Sequence, residues 1–90
     1  MNTNTETVSP ETIKKYICRW AFLKMSDFND LTPIKSLRPD FGEVSILGML
    51  TDCMFPQKCP LDIDGLDTVD DFMKWFKKHG IQNINEFKNP

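Results

Sequence analysis

The chain has 90 residues, a formal net charge of −2, 40% hydrophobic residues and 27% charged residues. This length allows one small domain with a single core, and the composition is that of a globular protein rather than a disordered chain. The slight excess of acidic residues gives no support to nucleic-acid binding, which favours a strongly basic surface.

We expect neither a membrane-spanning segment nor an export segment. No apolar run approaches the roughly 18 residues that cross a bilayer, and the opening MNTNTETVSP lacks the basic start and apolar centre of a signal peptide. We therefore expect a cytoplasmic monomer without a membrane span. Its three cysteines, Cys18, Cys53 and Cys59, are expected to be reduced core residues, because their spacing fits no usual zinc motif and no metal site is predicted.

Residues 1–8 are polar and are predicted to form a disordered tail. A helix is predicted from about Pro10 to Lys24, because Ser9 is a suitable N-cap and proline is favoured at the first helical position. Apolar residues then recur at helical spacing and predict one buried stripe. They are Ile13, Tyr16, Ile17, Trp20 and Ala21.

The connection SDFNDLTPIKSLRPDFG, residues 26–42, is long for so small a domain. Pro33, Pro39 and Gly42 prevent a continuous helix. Several apolar residues nevertheless occur along it, so we expect the segment to pack over the core and to have a function. They are Phe28, Leu31, Ile34, Leu37 and Phe41.

A second helix is predicted from about Val44 to Met54. Glycine inside a helix costs about 1 kcal/mol relative to alanine, so Gly48 indicates a close packing neighbour. The turn-rich stretch PQKCPLDIDGLD follows, with one turn of helix expected over Leu61–Asp64.

The last helix is predicted over TVDDFMKWFKKH, from Thr68 to His79. Thr68 with Asp71 three residues later resembles a capping box, and Gly80 is suited to the position after the helix. The tail at 81–90 is expected to dock on the body through its apolar residues. The prediction is an all-α helical bundle over residues 9–80, with three main helices, a short one and a long structured loop.

The stretch DFGEVSIL, residues 40–47, stands where the long loop enters the second helix. This order of elements resembles the acyl carrier proteins, in which a D-x-G-x-D-S-L motif ends such a loop. Asp40, Gly42 and Ser45 occupy the positions of the motif's first aspartate, glycine and serine.

Two later features extend the resemblance to about residues 9–79. Phe55 to Pro60 matches the family's F-x-x-x-(I/V)-P, with Cys59 as the β-branched residue. Thr68 and Val69 match the T-V that opens its last helix.

The resemblance implies that Ser45 carries 4′-phosphopantetheine, which holds an acyl or aminoacyl group as a thioester for fatty-acid, polyketide or related biosynthesis. A phosphate at a helix N-terminus faces unpaired N–H groups and the positive end of the helix dipole. The implied partners are a phosphopantetheinyl transferase and acyl-transfer or synthase enzymes. The apolar contact surface around Ser45 is then formed by Ile46, Met49 and Met54.

A second hypothesis is a protein–protein interaction module that has the same fold but no prosthetic group. Val44 stands where the family has an aspartate, and Asp52 is the only acidic residue of SILGMLTDCMF. In this alternative Ser45 is simply an N-cap or first-turn serine. An unrelated death-domain-like or helix-turn-helix bundle is a third possibility.

No pattern in the sequence predicts an enzyme. His79 has no serine or aspartate placed beside it by any motif, and neither a phosphate-binding glycine loop nor a nucleophile elbow occurs. The acidic stretch DIDGLDTVDD fails the spacing of a calcium-binding loop, and the aromatic residues Trp20, Phe72, Trp75 and Phe76 are interpreted as core.

Overall fold

A computed structural model describes residues 5–54 and 59–85 of the chain. These residues form a mostly helical bundle, which confirms the predicted helical class. The elements are β1 Thr5–Thr7, α1 Pro10–Ala21, α2 Ile34–Leu37, α3 Glu43–Cys53, α4 Val69–Lys78 and β2 Asn83–Asn85, with a 3₁₀ turn at Met25–Asp27. No helix in this part of the chain has both the length and the apolar character needed to cross a membrane.

Helix α1 begins as the sequence predicts but ends earlier. The Ser9 hydroxyl accepts a hydrogen bond from the amide of Thr12 at 3.2 Å, and Pro10 is the first helical residue. The helix ends at Ala21 rather than Lys24 because Phe22 adopts the left-handed conformation, with φ 58° and ψ 48°.

Helix α4 is capped as predicted. The Thr68 hydroxyl accepts from the Asp71 amide at 3.0 Å, and the Asp71 carboxylate accepts from the amides of Thr68 and Asp67, each at 3.0 Å. Its apolar side enters the core through Phe72 and Phe76, which are both fully buried.

The long connection between α1 and α3 is fixed to the start of α4. The Ile34 amide donates to the Asp67 carbonyl at 2.7 Å, and the Lys35 amide donates to the Asp67 carboxylate at 2.9 Å. The Asp70 amide donates to the Asp30 carbonyl at 3.1 Å. The first two bonds satisfy amides at the start of α2, which has no side-chain cap of its own, and the third satisfies a first-turn amide of α4.

Three of the five apolar anchors predicted in this connection are buried, namely Phe28, Ile34 and Phe41, whereas Leu31 and Leu37 are exposed. Ile34 belongs to α2, so the short helix of the bundle lies here.

The helical turn predicted over Leu61–Asp64 is wrong, because residues 59–67 contain no helix. Gly65 has φ 86°, in the left-handed region, and closes a turn. The Asp62 carbonyl accepts a hydrogen bond from the indole N–H of Trp75 at 3.0 Å. The segment is therefore held by tertiary contacts, including this one with α4, rather than by helical hydrogen bonds of its own.

The two strands were not predicted. Thr5–Thr7 had been assigned to a disordered tail, yet it pairs antiparallel with Asn83–Asn85, and Glu6 lies opposite Ile84. Ile84 is fully buried, as expected for a docking tail, while Phe87 lies outside the described residues. An ion pair of 2.9 Å joins Glu6 to Lys15 of α1.

Candidate functional site

Ser45 lies in the first turn of α3 but is not its cap. The N-cap is Gly42, which has no side chain to accept a hydrogen bond, and Ser45 is the third helical residue. Its side chain is partly exposed, whereas that of its neighbour Val44 is 84% exposed. Of the two structural roles predicted for Ser45, the first-turn position is therefore confirmed and the capping role is wrong.

The residues that follow Ser45 at helical spacing make a close contact with α1. Gly48 and Asp52 lie three and seven residues after Ser45, on the same side of α3. A Cβ built on Gly48 would lie 2.6 and 2.7 Å from two ring carbons of Trp20. The Trp20 indole N–H donates to the Asp52 carboxylate. The neighbour predicted for Gly48 is thus the Trp20 ring.

The C-terminal end of α1 forms the opposite wall of a groove beside Ser45. The Phe22 ring is 79% exposed although its backbone is left-handed, a conformation that bulky residues rarely adopt. The helix end is closed by the amides of Phe22 and Leu23, which both donate to the Cys18 carbonyl. With the helix ended in this way, the Phe22 side chain lines the groove and is not buried in the core.

The long connection supplies the third wall. Arg38 follows α2, and its guanidinium carbon lies 5.8 Å from the centre of the Phe22 ring. The Arg38 Nε is buried and has no hydrogen-bond partner in the described structure. Phe41 is buried below, and the exposed Asp40 lies beside it.

These three walls enclose a groove of about 480 Å³ that Ser45 lines together with Arg19, Ala21 and the residues above. Within residues 5–54 and 59–85, no ion pair involves Arg19 or Arg38. Arg19 instead lies over the Tyr16 ring at 5.0 Å. The groove thus combines two guanidinium groups, the exposed Phe22 ring, one hydroxyl and the carboxylates of Asp40 and Asp52.

The predicted contact residues lie elsewhere. Ile46, Met49 and Met54 are 2%, 0% and 7% exposed and belong to the core. The prediction that they form an accessible surface around Ser45 is therefore wrong in this structure. Their side of α3 packs into the bundle, and the exposed apolar side chain next to Ser45 is that of Val44.

The cysteines do not assemble a metal site. Cys53 is fully buried, and Cys18 and Cys59 are partly buried against the core. Burial raises the pKa of the Cys18 thiol, and the nearby Asp27 carboxylate raises it further. The described residues contain no cluster of three or more metal-ligating side chains.

Sequence reasoning missed Trp20, Phe22 and Arg38 as site residues. Trp20 was assigned to the core stripe of α1, and no glycine marks the left-handed position at Phe22. The available signal was Gly48, because a glycine one turn after Ser45 indicates that a large neighbour lies against this side of α3.

No family model, curated protein or solved structure matches the chain.

Proposed function

We propose that the protein is a carrier whose Ser45 is esterified by 4′-phosphopantetheine. The observation that supports this is the position of Ser45: a partly exposed hydroxyl in the first turn of an 11-residue helix, at the edge of a groove that contains two guanidinium groups. The spacing of Asp40, Gly42 and Ser45 in the sequence agrees with it.

The residues around Ser45 suit a phosphodiester. Neither the Arg19 nor the Arg38 side chain is neutralised by a described carboxylate, so both favour a nearby phosphate. The amides of the first turn of α3 add the positive end of the helix dipole. When bound, the group supplies a thiol on a flexible arm, where an acyl group is held as a thioester.

Intact mass spectrometry tests this proposal. Protein purified from its host is compared with recombinant protein incubated with coenzyme A, magnesium and a broad-specificity phosphopantetheinyl transferase. We expect a phosphopantetheine-sized mass gain that maps to Ser45 and is absent in Ser45→Ala. The exposed Ser36 provides the matched control, since Ser36→Ala must leave the gain unchanged.

Val44 makes the test more discriminating. Val44→Asp restores the aspartate of the carrier motif at a fully accessible position, so it should increase the rate of modification. No mass gain in either wild-type sample or in folded Val44→Asp would overturn the carrier proposal.

A second candidate, an interaction module without a prosthetic group, is favoured by the exposed Val44 and Phe22. It predicts that a photo-crosslinking residue at position 44 captures the same host protein whether residue 45 is serine or alanine. Loss of that capture in Ser45→Ala would contradict it.

A further inference from the structure

We propose that the groove between α1 and α3 binds a small aromatic acid, that is, a flat ring system bearing one carboxylate, phosphate or sulfonate group. This site does not depend on modification of Ser45 and is a property of the unmodified chain.

The anionic group of the ligand is inferred from the two arginines of the groove, Arg19 and Arg38. Both arginines line the groove, and within the described residues neither forms an ion pair. The buried Nε of Arg38 lacks a hydrogen-bond partner, which costs free energy. The Arg38 guanidinium lines the groove, and its planar charged group is suited to donating hydrogen bonds to an oxyanion bound there.

The flat ring is indicated by the aromatic walls. Phe22 keeps 79% of its surface exposed in a backbone conformation that is unfavourable for a bulky residue. Such outliers concentrate at binding sites, where surrounding structure maintains them. The Trp20 indole is held rigid by Gly48 and by its hydrogen bond to Asp52. A rigid ring on one side and an exposed ring on the other suit a planar ligand.

The size and remaining charges of the groove limit the ligand. A volume of about 480 Å³ is in the lower part of the range for small-molecule sites, about 300–1,000 Å³. Asp40 and Asp52 also line the groove and repel additional negative charge. The Asp52 carboxylate already accepts a hydrogen bond from the Trp20 indole N–H, which holds it in position. The groove therefore favours a ligand with one anionic group, placed beside Arg38, over a ligand with several.

Three probes separate the contributions of ring and charge. They are 8-anilinonaphthalene-1-sulfonate, the neutral N-phenyl-1-naphthylamine and inorganic phosphate. Each is titrated into recombinant protein that intact mass shows to be unmodified. We expect saturable one-to-one binding of the sulfonate, at least tenfold tighter than binding of either other probe.

The two tryptophans locate the binding site in the wild-type chain. In ¹H–¹⁵N spectra the indole N–H resonance of Trp20 should shift on titration, whereas that of Trp75 should not. Trp75 does not line the groove, and its N–H is bonded to the Asp62 carbonyl. Equal shifts of both resonances would show general adsorption and would overturn the proposal.

Charge variants complete the test. Arg38→Gln should weaken binding of the sulfonate at least tenfold and leave the neutral probe unaffected, while Asp40→Asn should strengthen sulfonate binding about twofold. Lys77→Gln is the control, because Lys77 is exposed on α4, away from the groove lining. Equal affinity for the sulfonate and the neutral probe, or no effect of Arg38→Gln in a protein with an unchanged spectrum, would overturn the proposal.

Discussion

The Trp20 ring lies so close to Gly48 that a methyl group cannot be added there without moving the ring. This contact allows α1 and α3 to approach closely, and the Trp20 ring also lines the groove beside Ser45. It also keeps the indole N–H within hydrogen-bonding reach of Asp52.

Gly48→Ala is expected to lower the free energy of unfolding by about 1–3 kcal/mol, the usual cost of overpacking a filled site. Helix propensity alone predicts the opposite, a gain of about 1 kcal/mol. Urea unfolding followed by circular dichroism decides between them. In a Trp20→Phe background the cost should shrink, because the ring atoms that collide are removed. A stabilised Gly48→Ala single variant would contradict the contact.

Ser45→Ala is expected to change stability by less than about 0.5 kcal/mol, because Ser45 caps no helix. Ser9→Ala and Thr68→Ala should each cost about 1 kcal/mol, since both side chains accept hydrogen bonds from first-turn amides. Thermal and urea unfolding of the three variants measure this difference. If Ser45→Ala proved as destabilising as the two cap variants, Ser45 would have a structural role that the geometry does not show.

Phe22→Gly should be more stable than Phe22→Ala by about 1 kcal/mol, because only glycine adopts φ 58° without steric cost. Both substitutions remove the ring, so the comparison isolates the backbone. Both should also weaken binding of the aromatic sulfonate. Equal stabilities of the two variants in urea would show that the left-handed conformation is not maintained in solution.

The Asp62 carboxylate predicts a dependence of stability on acid pH. A hydrogen bond from Lys78 at 2.8 Å, with a smaller contribution from the His79 charge, holds the pKa of Asp62 below its ordinary value of 3.8. Because the pKa is lower in the folded state, the stabilisation is complete above the unfolded value and is lost as pH falls through the folded one.

Urea midpoints at pH 7 and in steps below pH 4 test this expectation. Asp62→Asn should lose less stability over that interval than wild type. Asp64→Asn, which removes an exposed carboxylate from the same segment, should follow the wild-type profile. Parallel curves for Asp62→Asn and wild type would contradict the role of the Lys78 contact.

Local chemistry made the starts of α1 and α4 predictable. Ser9 with Pro10, and Thr68 with Asp71, satisfy first-turn amides within a few residues, so neighbouring sequence is sufficient to locate them. The end of α1 was not predictable in this way, because a phenylalanine rather than a glycine occupies the left-handed position.

The strands and the groove depend on contacts between distant residues. Three-residue strands are too short to show alternation, and β1 pairs with residues almost at the other end of the described chain. The groove likewise joins Phe22, Arg38 and Ser45, which belong to three separate segments. Ser45 itself was identified from its motif, whereas its neighbours became evident only from the packing of α1 on α3.

The pairing of β1 with β2 makes the backbone almost a closed ring. Thr5 and Asn85 are register partners, so a short peptide joining these two positions leaves the helices between them undisturbed. Opening the ring at the exposed turn of Asp64 and Gly65 creates a circular permutant in which α4 precedes α1. The two strands then become a local hairpin. In the natural chain the two strands pair across almost the whole described sequence, whereas in the permutant they are neighbours. The permutant should therefore fold faster than the natural chain.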